Sequence, residues 1–133
     1  MKQKKLLVFS LSLIFLTSSC TVNNEWKEVD RAIETKLNEY PLPERITTGL
    51  SLTKISRNKN SVIYTYEFDE TIYDFEAMRE YFIYDELQKA ISSDAKTNYF
   101  ISFLKKKGMD IEYKYIGNTS LKSFDFKFRK GEY

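Results

Sequence analysis

Apolar positions recur along this chain with two different periods, and each change of period marks an element. Trp26, Val29, Ile33, Leu37 and Tyr40 follow helical spacing and form one stripe. Asn24 can cap that helix, Glu25 and Glu28 fall in its first turn where the helix dipole favours acids, and Pro41 and Pro43 close it. From Gly49 to Ile55 and from Ser61 to Asp69 the period falls to two. Val62, Tyr64, Tyr66 and Phe68 alternate with Ile63, Thr65, Glu67 and Asp69, and the polar stretch Arg57-Asn58-Lys59-Asn60 turns between the strands, which predicts a hairpin. Asp74 can cap a second helix with Phe75, Met78, Phe82, Leu87 and Ile91 facing inward. Ser92-Ser93-Asp94 predicts an interruption, after which a third helix restarts with Asp94 as cap and buries Tyr99, Phe100, Phe103 and Leu104. Lys105, Lys106 and Lys107 in its last turn, with Gly108 directly after, are stop signals. A second hairpin closes the chain: Ile111, Tyr113 and Tyr115 alternate with Asp110, Glu112 and Lys114, Gly117-Asn118-Thr119 turns, and Phe124, Phe126 and Phe128 alternate with Asp125, Lys127 and Arg129.

The order is therefore α-ββ-αα-ββ. An α+β fold is expected, a four-stranded antiparallel sheet made from the two hairpins with the helices packed on its apolar face, as one domain over residues 24–133.

Ahead of that domain the pattern is of another kind. Lys2, Lys4 and Lys5 precede an apolar run from Leu6 to Leu16 broken only by Ser10 and Ser12. The run is too short to span a bilayer, which takes roughly 20 apolar residues, and a basic start with a short apolar core and small residues after it marks an export signal. Its end, Leu16-Thr17-Ser18-Ser19-Cys20, resembles the lipobox of bacterial lipoproteins, with Thr17 standing where a branched apolar residue is commoner. The resemblance implies cleavage between Ser19 and Cys20 and acylation of the Cys20 thiol. Residues 1–19 are then the signal peptide and 20–23 a short lipidated tether. Cys20 is the only cysteine, and acylation gives a role to a thiol that would otherwise be solitary in an oxidising compartment. Several acyl chains together anchor stably. Thr21 rather than aspartate follows the cysteine; in a host with two membranes, the resemblance to sorted lipoproteins then implies the outer one, facing the periplasm.

Cleavage changes the charge. Removing residues 1–19 takes Lys2, Lys4 and Lys5 and no acid, leaving 18 basic against 19 acidic residues and a formal charge of −1. The +2 of the whole chain is thus an export feature, and no nucleic-acid partner is expected from it.

The chain contains no histidine, which removes the commonest general base, the commonest metal ligand and every imidazole triad. With Cys20 committed to lipid no thiol chemistry is left, and neither a glycine-rich phosphate loop nor a nucleophile elbow occurs. No cofactor and no metal are expected. Carboxylates remain: Glu67, Asp69 and Glu70 cluster at a strand end, where a pair could serve a glycosidase, and Asp69-Glu70 with Asp74 suggest a calcium loop, though without its glycine and regular spacing. Acids between a strand and a helix ordinarily cap or stand in solvent, and that is the expected role. Lys105, Lys106 and Lys107 complement the helix dipole; a short tether would let them meet anionic lipid, but three lysines are fewer than a polybasic cluster.

From Ser92 to Phe126 the chain also resembles a loose group of small exported bacterial proteins of unassigned activity, whose pattern is Cys-Ser-Asp-Pro, Thr-Arg, a helix ending in Gly-Val, then alternating tyrosines. Ser93, Asp94, Thr97, Gly108, Tyr113 and Tyr115 match it, whereas Ser92, Ala95, Asn98 and Met109 depart. It implies no catalytic residue. The expectation is a non-enzymatic, membrane-tethered periplasmic protein that binds another protein, as an envelope-machine accessory, a pilotin-like escort or an immunity protein. An inhibitor of a cell-wall hydrolase such as lysozyme is the alternative, and a carboxylate-based hydrolase the third.

Overall fold

The computed structural model describes residues 26–133, so the leader, Cys20, and the cap and first acid expected at Asn24 and Glu25 lie outside the described residues. Helix α1 covers 26–39 and ends ahead of Pro41. Val29 and Ile33 are buried as the stripe requires, while Trp26 and Tyr40, expected on it, are exposed at its two ends.

The fold is α+β, with helices packed against one sheet. That sheet has five strands, β1 (Glu44–Thr47), β2 (Leu50–Asn58), β3 (Ser61–Phe68), β4 (Asp110–Gly117) and β5 (Ser123–Phe128), in sequence order across it. Two features correct the expected four antiparallel strands. β1 is an additional edge strand, joined to β2 through the tight turn at Thr48 and Gly49, where Gly49 takes φ +79°. β3 and β4 run parallel, Ser61 opposite Asp110 and Phe68 opposite Gly117. The physical reason lies in the link between them: it carries three helices, and a crossover of that length returns the chain to the end where β3 began, so β4 lies beside β3 in the same direction.

Within the strands the period of two holds, with one break. Leu52 faces Tyr66 and Lys54 faces Thr65, which leaves Thr53 as a bulge. The extra residue moves the inward set from even to odd positions, so Leu50, Leu52 and Ile55 are all buried on one face. The β2–β3 turn is tighter than expected: Arg57 and Asn58 belong to β2, and Lys59 takes φ 54°.

The crossover helices are α2 (Phe75–Tyr81), α3 (Tyr84–Thr97) and α4 (Tyr99–Lys106). Asp74 caps α2, accepting from Ala77 N at 3.2 Å. The interruption expected at Ser92-Ser93-Asp94 does not occur; α3 runs through it because Ile91 and Ala95 on its inner face are buried. The cap of α4 is Asn98, whose Oδ1 accepts from Phe100 N at 3.0 Å and Ile101 N at 3.2 Å, and not Asp94. Phe100, Ile101 and Leu104 are its buried side, Phe103 is half-buried, and Tyr99, expected inside, is 88% exposed. Gly108 ends the segment at φ +69°.

Helices α1, α3 and α4 cover a first core cluster around Ile55, Val62, Ile91, Leu104, Ile111 and Phe128. A second, smaller cluster of Leu50, Phe68, Met78 and Tyr115 lies under α2. Parallel pairing puts Tyr64 beside Tyr113 and Tyr66 beside Tyr115, with ring centroids 5.4 Å and 4.9 Å apart. Tyr133 closes the first cluster, its Oη donating to Met109 O at 2.5 Å.

Candidate functional site

The carboxylates named in the sequence do not converge; three of the four are tied to nearby hydrogen-bond donors. Asp69 accepts from Thr71 N at 2.9 Å and Thr71 Oγ1 at 2.6 Å, and these donors hold its carboxyl below the ordinary range. Glu70 reaches across to the β4–β5 turn, where its Oε1 accepts from Ser120 N at 2.9 Å and Ser120 Oγ at 2.8 Å, which likewise lowers its carboxyl. It lies directly over Gly117, where a β-carbon would find no room. Asp74 is the cap of α2. Glu67 is exposed on β3, between inward Tyr66 and Phe68. A carboxylate pair not singled out from the sequence is Glu112 and Asp125, on adjacent strands of the sheet face away from the helices; burial raises the Glu112 carboxyl and Asp125 beside it raises it further. Among the described residues no group of three or more histidine, cysteine, aspartate or glutamate side chains could hold a metal ion, and no helix is long and apolar enough to cross a membrane.

What the fold does assemble is apolar surface. At the end of the sheet where the β1–β2 turn lies, the chain leaving β3 folds back: Ile72 N and Tyr73 N donate to Asp69 O at 3.0 Å and 2.9 Å. Tyr73 Oη then donates to Thr48 O at 2.8 Å and Asp69 N to Gly49 O at 2.8 Å, which stitches this turn to the hairpin turn. Between them and α2 opens a groove of about 440 Å³ lined by Leu50, Ile72, Tyr73, Met78, Tyr81 and Phe82. Phe82 is held by stacking on Tyr115 at 4.4 Å. Ile72 is 51% and Tyr81 75% exposed on the groove's wall, and Ile46 is 49% exposed on β1, the edge strand beside it. β1 is the outermost strand on this side of the sheet, and all four of its residues are exposed.

A larger groove of about 810 Å³ separates α1 from α4. Its floor includes Phe100 and Phe103, and its character is mixed, because Glu28, Arg31, Lys36 and Glu39 line it as well. Lys36 Nζ sits 5.2 Å from the Phe100 ring centroid and 5.6 Å from that of Tyr40. Lys107, the third of the terminal lysines, is bonded to Glu28 of α1, and that bond lowers the Glu28 carboxyl; Lys105 and Lys106 are exposed. The 440 Å³ groove was not legible in the sequence, because its walls come from β2, from the turn after β3 and from α2. The one local signal was Ile72 and Tyr73, apolar residues in a stretch otherwise reading as a polar turn.

No protein-family model matches the chain, and no curated protein matches it in sequence. Solved structures do share its fold. A Pseudomonas aeruginosa protein described as secreted aligns over 82% of this chain and 96% of its own length, with a TM-score of 0.61 and 15% identity. EpsS, the pilotin of the Vibrio vulnificus type 2 secretion system, aligns over 83% of this chain and 96% of its own, with a TM-score of 0.55 and 13% identity. The Vibrio cholerae type II secretion pilotin AspS aligns over 84% of this chain and 94% of its own, with a TM-score of 0.52 and 16% identity. At these identities the likeness is one of fold.

Proposed function

We propose that this chain is a lipid-anchored, non-enzymatic periplasmic protein that acts by binding another protein, as an accessory of an envelope machine of the kind pilotins belong to. Cleavage after Ser19 would leave Cys20 to carry the anchor, in the outer membrane where the host has two membranes. The observation that carries the reading is the 440 Å³ apolar groove, which leaves Ile72 and Tyr81 exposed beside an open sheet edge. An apolar segment of a partner protein entering it would bury those side chains at about 25 cal/mol for each Å² removed from water. The fold shared with two secretion pilotins supports the same reading, and so do Asp69, Glu70 and Asp74, whose carboxylates are engaged by neighbouring hydroxyl and backbone groups.

The test is crosslinking in cells followed by mass spectrometry, comparing wild type with Cys20→Ala, Ile72→Asp and Tyr81→Asp. One envelope protein captured by wild type and lost with either groove variant is the expected result. Turnover of an envelope substrate by the purified protein, abolished by changing a single acid, would overturn the reading in favour of a carboxylate-based hydrolase.

A further inference from the structure

A ring of contacts gathers the basic residues of four separate segments at one end of the domain. Lys107, after α4, pairs with Glu28 of α1. The next residue, Gly108, lies against the side chain of Lys130: a β-carbon there would sit 3.2 Å from its Cδ and Cε. Lys130 N donates to Asp110 Oδ1 at 2.9 Å, and Asp110 N to Asn60 O at 2.8 Å. Arg57 donates to Lys59 O at 2.9 Å and to both Asp30 oxygens at 2.5 Å and 3.0 Å, returning the ring to α1. Its guanidinium lies 5.1 Å from the centroid of Trp26, which is 37% exposed.

The acids of this ring are each matched. Glu28 faces Lys107, Asp30 faces Arg57, and Asp110 has Lys127 at 3.9 Å. A neighbouring acid, Glu132, accepts from Tyr84 Oη at 2.6 Å. Lys27, Lys59, Lys105, Lys106 and Lys130 are exposed, and none has a carboxylate within ion-pair distance among the described residues. Three lysines adjacent in sequence fall short of a polybasic cluster; these five reach the roughly four to eight that hold an anionic membrane surface.

We propose that this end of the domain docks on an anionic lipid surface, with Lys27, Lys59, Lys105, Lys106 and Lys130 meeting head groups and Trp26 entering the interface between them. The proposal rests on the lipid-anchor reading of Cys20, and the chain's own connectivity says why lipid is the occupant. Six residue steps join Cys20 to Trp26, about 20 Å at full extension, so this end of the domain is held within that reach of the bilayer. Head-group attraction acts within a Debye length of about 8–10 Å, which a docked face satisfies and an undocked one hanging on the tether does not. A tryptophan beside cations suits the interfacial zone, where its ring is half in apolar surroundings and its N–H in water.

Trp26 is the only tryptophan, so its fluorescence reports this face alone. The full lipidated protein, reconstituted into vesicles of phosphatidylcholine with or without phosphatidylglycerol, each carrying a trace of nitroxide head-group lipid, should show Trp26 quenching that depends on phosphatidylglycerol. It should be relieved by 1 M salt, where the Debye length falls to about 3 Å. The double variant Lys105→Glu/Lys106→Glu should lower the docked-to-undocked ratio at least tenfold, since each lysine near the surface is worth about fivefold. Lys122→Glu, in the β4–β5 turn at the other end of the sheet, should leave it unchanged. Flotation with neutral vesicles in high salt reads the anchor by itself, so its failure would strike the anchor reading and not the face. Equal quenching in both vesicle types, or phosphatidylglycerol-dependent quenching that 1 M salt leaves intact, would overturn the proposal.

Discussion

Raising the pH should unfold this protein steeply, because burial holds five of its tyrosines above the ordinary phenolic range. Burial pushes the Tyr64 hydroxyl well above its ordinary range, and Tyr113 and Tyr115 upward for the same reason, with neighbouring tyrosines adding to it. Tyr66 and Tyr133 are pushed up to about 12, again by burial first. In the unfolded chain each would ionise near 10. Between those values the unfolded state binds fewer protons than the folded one, so stability falls as pH rises: it is fully present below about pH 10 and lost progressively up to and beyond about pH 12. Each such tyrosine contributes a slope of about 1.4 kcal/mol per pH unit, so five together approach about 7 kcal/mol per unit. A single domain has about 5–15 kcal/mol in hand, so one to two units of pH above 10 suffice to exhaust it. The assay follows tyrosinate absorbance and far-ultraviolet circular dichroism together. Ionisation of the buried group should coincide with loss of the dichroism in one cooperative step. Tyr66→Phe should flatten the slope by about 1.4 kcal/mol per pH unit. A reversible, non-cooperative titration of all ten tyrosines with the dichroism intact would refute the burial argument.

Four substitutions test the fold at single positions. Gly49→Ala puts a side chain at φ +79° and a β-carbon 3.0 Å from Ile72 Cδ1 and Tyr73 Cε2; it should cost at least about 1–2 kcal/mol, and each kcal/mol lowers Tm by about 4–8 °C, while an unchanged melt would show that the turn relaxes freely. Leu104→Ala, at a side chain with no exposure, should cost about 2–5 kcal/mol in urea unfolding, and a loss under 1 kcal/mol would mean that the α4 contact collapses without a cavity. Asn98→Ala should cost about 1 kcal/mol and Asp94→Ala less than about 0.5, an order that reverses if Asp94 is the helix cap.

The side chains' facing along each strand was legible because alternation is a local property. Val62, Tyr64 and Phe68 are buried as their positions predict, and so are Ile111, Tyr115 and Phe128. The direction of β4 was not legible, since alternation is the same whichever way a strand runs and only the crossover decides it. β1 carries no signal because Glu44, Arg45, Ile46 and Thr47 are all exposed and hold their place through the ladder to β2. Ser92-Ser93-Asp94 looked like a break because such side chains compete for backbone hydrogen bonds, yet burial of Ile91 and Ala95 on the same helix outweighs that preference. The acids were legible as capping groups one by one. Their partners were not: Glu70 meets Ser120 across 50 positions of sequence.

The two surfaces proposed for function stand at opposite ends of one rigid element. β2 begins at Leu50 in the apolar groove and ends at Asn58 beside the basic ring, about 27 Å away at the rise of an extended strand. A domain docked through Lys59, Lys105 and Lys130 would therefore hold Ile72, Tyr81 and the β1 edge on the side away from the lipid, several Debye lengths from the head groups. The anchor and the partner site then make no competing demand on the same residues. A stable lipid anchor and a weaker lysine contact would together orient the groove as well as retain it, and an apolar partner segment would meet a surface already turned toward it. Preorganisation of that kind spares the orientational part of the cost of association, and it is a use for a basic end that dipole complementation at α4 alone does not account for, since Lys27, Lys59 and Lys130 lie outside that helix.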